Sequence, residues 1–166
     1  SELANALWTM AGKPVVNYVL SFTDVAEDDL YTEAIRWAVS ENVMTGYDDG
    51  CFGAEDTVSR QQMLTALWRY AQKHNVDVSV GEDTNILSYE DAFDISEYAI
   101  PAMQWACGAG IIAGTGEGKI QPESKYPSFS TGTASSPARI PKRLSLIRYS
   151  TPCVALTMRI FSYRIS

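Results

Sequence analysis

Apolar positions recur at helical spacing in four separate stretches of this chain. Leu3, Ala6, Leu7 and Met10 predict a first helix, which Gly12-Lys13-Pro14 stops. Ala34, Ile35, Trp37, Ala38 and Val39 predict a second, ended by Asn42–Gly46, with Gly46 expected to take the positive φ of the C-cap. Met63, Leu64, Leu67, Trp68 and Ala71 line one face of a third. Ser59 with Gln62 three residues on makes a capping box at its start, in which each satisfies a backbone N–H that the helix leaves free. The stretch around Trp105 is the fourth. The polar segments between them read as an extended link, an acidic stretch over Ala26–Leu30 that leads into the second helix, an Asp48-Asp49-Gly50 turn flanked by short extended pieces, and a linker over Val76–Asn85. Trp8, Trp37, Trp68 and Trp105 fall on the apolar faces and are expected in the core.

Two stretches say nearly the same thing 68 positions apart. Trp37, Gly46, Gly50 and Phe52 correspond to Trp105, Gly114, Gly118 and Ile120, and Phe22-Thr23-Asp24-Val25 is restated by Tyr89-Glu90-Asp91-Ala92 with one residue inserted later. A third partial copy aligns Leu3–Ala11 with Met63–Ala71. Repetition of this kind predicts an all-α fold of repeated helix–loop–helix units, packed as a pseudo-threefold bundle with short extended segments in the loops. It places function in grooves between units.

The formal charge of −7 hides a split. Residues 1–124 hold all 20 acids and 6 of the 13 bases, a net −14, whereas residues 125–166 hold seven bases and no acid. So acidic a body argues against nucleic acid, whose phosphates it repels. Cys51, Cys107 and Cys153 fall in unrelated contexts without metal-ligand spacing, which argues against a zinc site or a disulfide framework. No apolar run approaches the roughly 18–20 residues of a membrane span. The chain opens inside its first predicted helix, so its natural N-terminus is expected further upstream.

The ordered motifs Phe22-Thr23-Asp24-Val25, Trp37, Gly46-Tyr47-Asp48-Asp49-Gly50-Cys51-Phe52 and Val58-Ser59-Arg60-Gln61-Gln62 resemble the S-layer homology module, a surface-anchoring repeat of Gram-positive and related bacteria. Its pattern runs Phe-x-Asp-Val, a Trp-bearing helix, Gly-Tyr-x-Asp-Gly-x-Phe and a Thr-Arg-Ala-Glu-like helix start. The resemblance implies the closing helix of a first repeat over 1–16, a complete second repeat over 17–75, a linker over 76–86 and a partial third repeat over 87–124. Where the third repeat needs its Arg-bearing helix start, the chain reads Tyr126-Pro127-Ser128. The basic 125–166 segment is therefore expected to be disordered, frame-shifted or unrelated. Open faces on the two outer repeats predict reduced stability or self-association.

The resemblance implies a secreted, non-catalytic module at the cell wall that binds secondary cell-wall polysaccharide, including pyruvylated polymer, between repeats, with no cofactor and no metal. Its candidate ligand residues are Arg60, Ser59, Gly46, Tyr47, Asp48, Gly50 and Asp24. Arg60 presents a guanidinium fork to a carboxylate, with helix-terminal N–H groups expected to assist; the plainer alternative is a surface pair with Glu55 or Asp56. Gly46 and Gly50 allow close backbone approach while Tyr47 stacks, although the same glycines also suit a cap and a turn. Asp24 and Asp48 accept sugar hydroxyls, or Asp24 caps the following helix. Because the body repels anionic polymers at long range, recognition must rest on short-range pairing.

Three other readings stand beside this one. His74 is the single histidine and no Ser or Cys nucleophile shows a local signature, so an enzyme finds little support. Asp48-Asp49-Gly50 lacks the alternating ligands of a calcium loop. A structural helical repeat that mediates protein contacts uses the same apolar faces.

Overall fold

The computed structural model describes residues 1–114 and 117–125; the predictions for 126–166 lie outside the described residues. Four helices carry the fold: α1 (Glu2–Met10), α2 (Thr32–Ser40), α3 (Arg60–Lys73) and α4 (Ile100–Gly108). Single 3₁₀ turns lie at Ser79–Gly81, Ala92–Asp94 and Glu97–Ala99. Among the described residues there is no strand, and one isolated antiparallel bridge joins Ser59 to Lys125. The fold is all-α, as the periodicity predicts.

Left-handed residues close the helices, because a residue with positive φ turns the chain back onto the last carbonyls. Gly12 (φ 86°), Asn42 (54°), Asn75 (55°) and Gly110 (68°) occupy these places. After α2 the Val43 N–H reaches the Ala38 carbonyl at 2.9 Å across Asn42, and after α3 the Val76 N–H reaches Ala71 at 2.9 Å across Asn75. The positive φ assigned to Gly46 from sequence therefore belongs to Asn42. Asn tolerates this conformation better than most residues, since its short polar side chain bonds locally.

Gly46 is small for another reason. A Cβ there would lie 2.2 Å from Phe22 Cε1 and 2.6 Å from the Cys51 carbonyl oxygen. The motif aromatic rests directly on the loop backbone. The second copy does the same, a Cβ on Gly114 falling 2.4 Å from Tyr89 Cε1.

Helix contacts run across the repeat boundaries. α1 packs against α2 and α3 packs against α4, so the closing helix of one repeat pairs with the Trp helix of the next. Leu3, Leu7, Ile35, Met63, Leu64, Met103, Val43 and Ile120 are fully buried. Trp37 and Trp105 join the core at 4% and 3% exposure, with Trp37 set edge-on to Tyr70. Trp8 and Trp68 correct the expectation, being half-buried. Trp8 donates its indole N–H to the Pro14 carbonyl at 2.9 Å and carries Lys13 Nζ 5.5 Å from its ring centroid, so its polar edge faces the surface.

Candidate functional site

The loop after α2 is held by a carboxylate. Asp24 Oδ1 accepts from the Phe52 N–H at 2.7 Å, and Oδ2 from the Gly53 and Ala54 N–H groups at 2.7 and 3.1 Å. Desolvation pushes the Asp24 carboxyl up, but the Phe52, Ala54 and Gly53 donors outweigh it, so its pKa lies below the ordinary carboxylate value. Asp24 is thus no helix cap: α2 starts at Tyr31 without a side-chain cap. The capping expectation fails because three N–H groups of the returning loop, 28–30 residues on, compete for the same oxygens. Asp91 repeats the arrangement, accepting from Ile120 and Gln121 at 2.9 and 2.7 Å.

Within the loop, the Tyr47 N–H bonds the Cys51 carbonyl at 2.7 Å and the Gly50 N–H bonds Tyr47 at 3.2 Å. Gly50 takes φ 84°, the left-handed turn position its sequence context implies. This hairpin-like turn presents Tyr47 and Asp48 outward, and Tyr47 is 45% exposed. Gln62 on α3 donates to the Tyr47 hydroxyl at 3.4 Å.

The start of α3 is fully occupied. The Ser59 N–H donates to Gln62 Oε1 at 2.9 Å and the Gln62 N–H to Ser59 Oγ at 3.4 Å, forming the predicted capping box. Arg60 and Gln61 donate their N–H groups to the Ser124 and Pro122 carbonyls at 2.8 and 2.9 Å. The corresponding contact recurs one repeat earlier, where the Ser1 nitrogen meets the Ala54 carbonyl at 2.9 Å. Backbone assistance to a bound anion, expected at this helix start, is therefore absent: the neighbouring repeat has taken those donors.

Arg60 itself is 9% exposed, and its fully buried Nε has no hydrogen bond. No ion pair joins it to Glu55, Asp56 or any other acid among the described residues. Its charge is felt at Cys107 on α4, the helix against which α3 packs. Burial pushes the Cys107 thiol up, while Arg60 and a hydrogen bond with Tyr89 pull it back.

A groove of about 390 Å³ opens on the other side of α3. It brings together Gly46, Tyr47 and Asp48 of the candidate set; Ser59 lines an adjoining recess. Arg60, Asp24 and Gly50 do not line either. Instead the groove takes Gln62, Thr65, Ala66 and Arg69 from α3, and Tyr98 from the third repeat. Positions i, i+3, i+4 and i+7 form one stripe of a helix, and that spacing was the available signal for Arg69. Tyr98 had none, since only tertiary packing sets it opposite Tyr47. Burial raises the Tyr98 phenol, Glu123 adds to this, and Ser96 and Arg69 oppose it; the net rise keeps the hydroxyl protonated, available both to donate and to accept. Among the described residues no group of His, Cys, Asp and Glu side chains is arranged to hold a metal.

This architecture, two copies of an aromatic-x-Asp staple over a Gly loop, accompanies a direct family match. The S-layer homology domain family matches residues 21–64 and 88–125. The chain is an S-layer homology domain protein. It is also 28% identical over 117 residues to a "Cell surface protein" of Thermoanaerobacter kivui, a match covering 63% of this chain and 13% of that relative. No solved structure matches. The resemblance read from the motifs is thus the family found by comparison. S-layer homology domains are non-catalytic modules that generally anchor proteins to cell-wall polysaccharide. No helix among the described residues is long and apolar enough to cross a membrane.

Proposed function

We propose that this chain fastens its parent protein to the bacterial cell wall by binding a secondary polysaccharide that carries carboxylates, pyruvate ketals among them, with Arg60 pairing the acid. The observation that carries this reading is the state of Arg60. Arg60 is 9% exposed as a residue, with no ion pair among the described residues and a buried, unpartnered Nε, in a body of net −14 over residues 1–124. An uncompensated buried cation costs several kcal/mol, about the scale a bound carboxylate recovers. The fork geometry of Arg matches a carboxylate bidentately. With the α3 N–H groups engaged elsewhere, the side chain supplies the recognition alone. Gly46, Tyr47, Asp48, Gly50, Asp24 and Ser59 serve it at one remove, by shaping the loop and the helix start.

The test is co-sedimentation with purified sacculi, before and after chemical removal of the secondary polymer. Wild-type protein is expected to bind the intact sacculi only. Arg60→Gln is expected to weaken that binding at least about thirtyfold, the lower end for truncating one side of a buried charge pair. Circular dichroism checks that helicity is retained. Equal binding to stripped sacculi, or an Arg60→Gln protein that binds like wild type, overturns the reading.

A further inference from the structure

The links that follow α1 and α3 treat their backbone in opposite ways. After α3 the chain folds on itself: the Gly81, Glu82 and Thr84 N–H groups bond the Val78, Ser79 and Gly81 carbonyls at 3.1, 2.9 and 3.1 Å, and the turn over Ser79–Gly81 packs on α4. Asp77, Glu82 and Asp83 give that link charge. After α1 the chain runs over residues 13–22 without helix, turn or bend. Among the described residues, no N–H of residues 15–22 donates a hydrogen bond. Two carbonyls are held by the body, Pro14 accepting from the Trp8 indole at 2.9 Å and Tyr18 from Arg36 Nη1 at 2.8 Å. Exposure alternates: Val15 and Val19 are 87% and 84% exposed and Asn17 is exposed, whereas Pro14, Val16 and Leu20 are half-buried and Tyr18 lies between at 42%. That is the period of an extended strand. No residue over 14–23 is charged, and Lys13 and Asp24 bound the stretch.

We infer that residues 15–20 form a dimerisation edge, on which a second copy of this chain pairs the same segment antiparallel about Asn17. In an extended strand the N–H and C=O of one residue leave on the same side, and successive residues alternate sides. The body takes the carbonyls of Pro14 and Tyr18, so Val15, Asn17 and Val19 turn their polar groups the other way, where they meet no partner among the described residues. An unpaired row of this kind is a template for another strand. A two-fold axis at Asn17 sets Val15 of each copy opposite Val19 of the other and lets each facing pair exchange both of its hydrogen bonds. The same register puts Val16 opposite Tyr18, so apolar and β-favouring side chains meet on both faces. Charge selects the partner and its direction. A body of net −14 over residues 1–124 repels its own copies, and this uncharged stretch is a place where two of them touch without like charges meeting. Antiparallel pairing brings the Lys13 end of each copy to the Asp24 end of the other, whereas parallel pairing sets like ends together. A single strand pair is a small interface, so the association belongs to the weak, concentration-dependent class. It is independent of the polysaccharide reading.

The experiment is sedimentation equilibrium of the full chain at concentrations up to about 1 mM, with hydrogen exchange read by ¹⁵N-NMR at both ends of that range. The wild type is expected to pass from monomer to dimer. Amide protection is expected to rise at Val15, Asn17 and Val19 but not at Val16, Tyr18 and Leu20, whose N–H groups point away from the partner. Asn17→Lys and Asn17→Asp each set like charges directly opposite across the axis, and each is expected to weaken the dimer at least about fivefold. Circular dichroism is expected to stay that of the wild type, because Asn17 is exposed. Weakening by Asn17→Lys does not follow from bulk charge, since that substitution makes the body less acidic. An equimolar mixture of the two variants sets Lys against Asp and is expected to restore association. A monomer at every concentration, a dimer indifferent to either substitution, a mixture that stays monomeric, or protection that ignores the alternation overturns the inference. Sacculus binding is read in a separate assay, and neither result bears on the other.

Discussion

Replacing Asp24 by Asn tests whether the loop is held by a charge. In the native loop one carboxylate accepts three backbone N–H groups, two of them on Oδ2. Asn keeps an oxygen for Phe52 and turns an NH₂ toward the Gly53 and Ala54 donors, so two charge-assisted bonds are lost. Each is worth about 1.5–3 kcal/mol when buried. Asp24 is exposed, and water both screens the charge and solvates the freed N–H groups, which reduces the sum to about 1.5 kcal/mol. For a body of this size that lowers Tm by roughly 6 °C. The carboxyl pKa is depressed in the folded state, so its contribution is complete above the unfolded value of about 3.9 and disappears as pH falls through the folded one. Urea unfolding followed by circular dichroism at pH 7 and at successively lower pH measures both effects. The gap between wild type and Asp24→Asn should narrow steadily below about pH 4. Asp48→Asn, on an exposed side chain, should stay within about 0.5 kcal/mol of wild type. Equal midpoints at pH 7, or a gap that persists undiminished to acid pH, would refute the staple.

Gly46→Ala pushes a methyl into the Phe22 ring and the Cys51 carbonyl, and should cost about 1–3 kcal/mol in thermal or urea unfolding, because a backbone oxygen cannot yield as a side chain can. Gln61→Leu should cost a similar amount, about 1–3 kcal/mol. Its amide accepts from the Ser96 N–H at 2.9 Å and donates to Ser96 Oγ at 3.1 Å and to Glu123. Hydrogen exchange should show loss of protection at Ser96 and the 3₁₀ turn after it before α4, and uniform protection in the variant would contradict this linkage.

Local features of the fold were the legible ones. The four helices follow from apolar spacing, and the Ser59–Gln62 capping box from two residues three apart, since both depend on neighbours within a turn or so. Harder to see was anything set by distant backbone. Asp24 reads equally well as a cap or a ligand until the loop over Phe52–Ala54 returns to it. Gly46 advertises a positive φ, yet its smallness answers to Phe22, while Asn42 makes the turn. The donors at Arg60 and Gln61 look free in sequence because their acceptors, Ser124 and Pro122, lie more than 60 residues away. Of the candidate set, Gly46, Tyr47 and Asp48 do meet in one groove, but Arg69 and Tyr98, which complete it, belong to no motif.

Because α1 pairs with α2 and α3 with α4, the unit that folds is out of step with the unit that repeats. A fragment cut from one motif start to the next, such as residues 21–75, would take α2 without α1 and α3 without α4. It would also strip α3 of the Pro122 and Ser124 carbonyls that finish its first turn. An array built this way is extended safely only by whole-repeat insertion, which regenerates every pair in the new phase. Engineered anchors of minimal length should accordingly be cut within the polar segments that precede each Ser59-like cap, so that a closing helix leaves together with the Trp helix it covers.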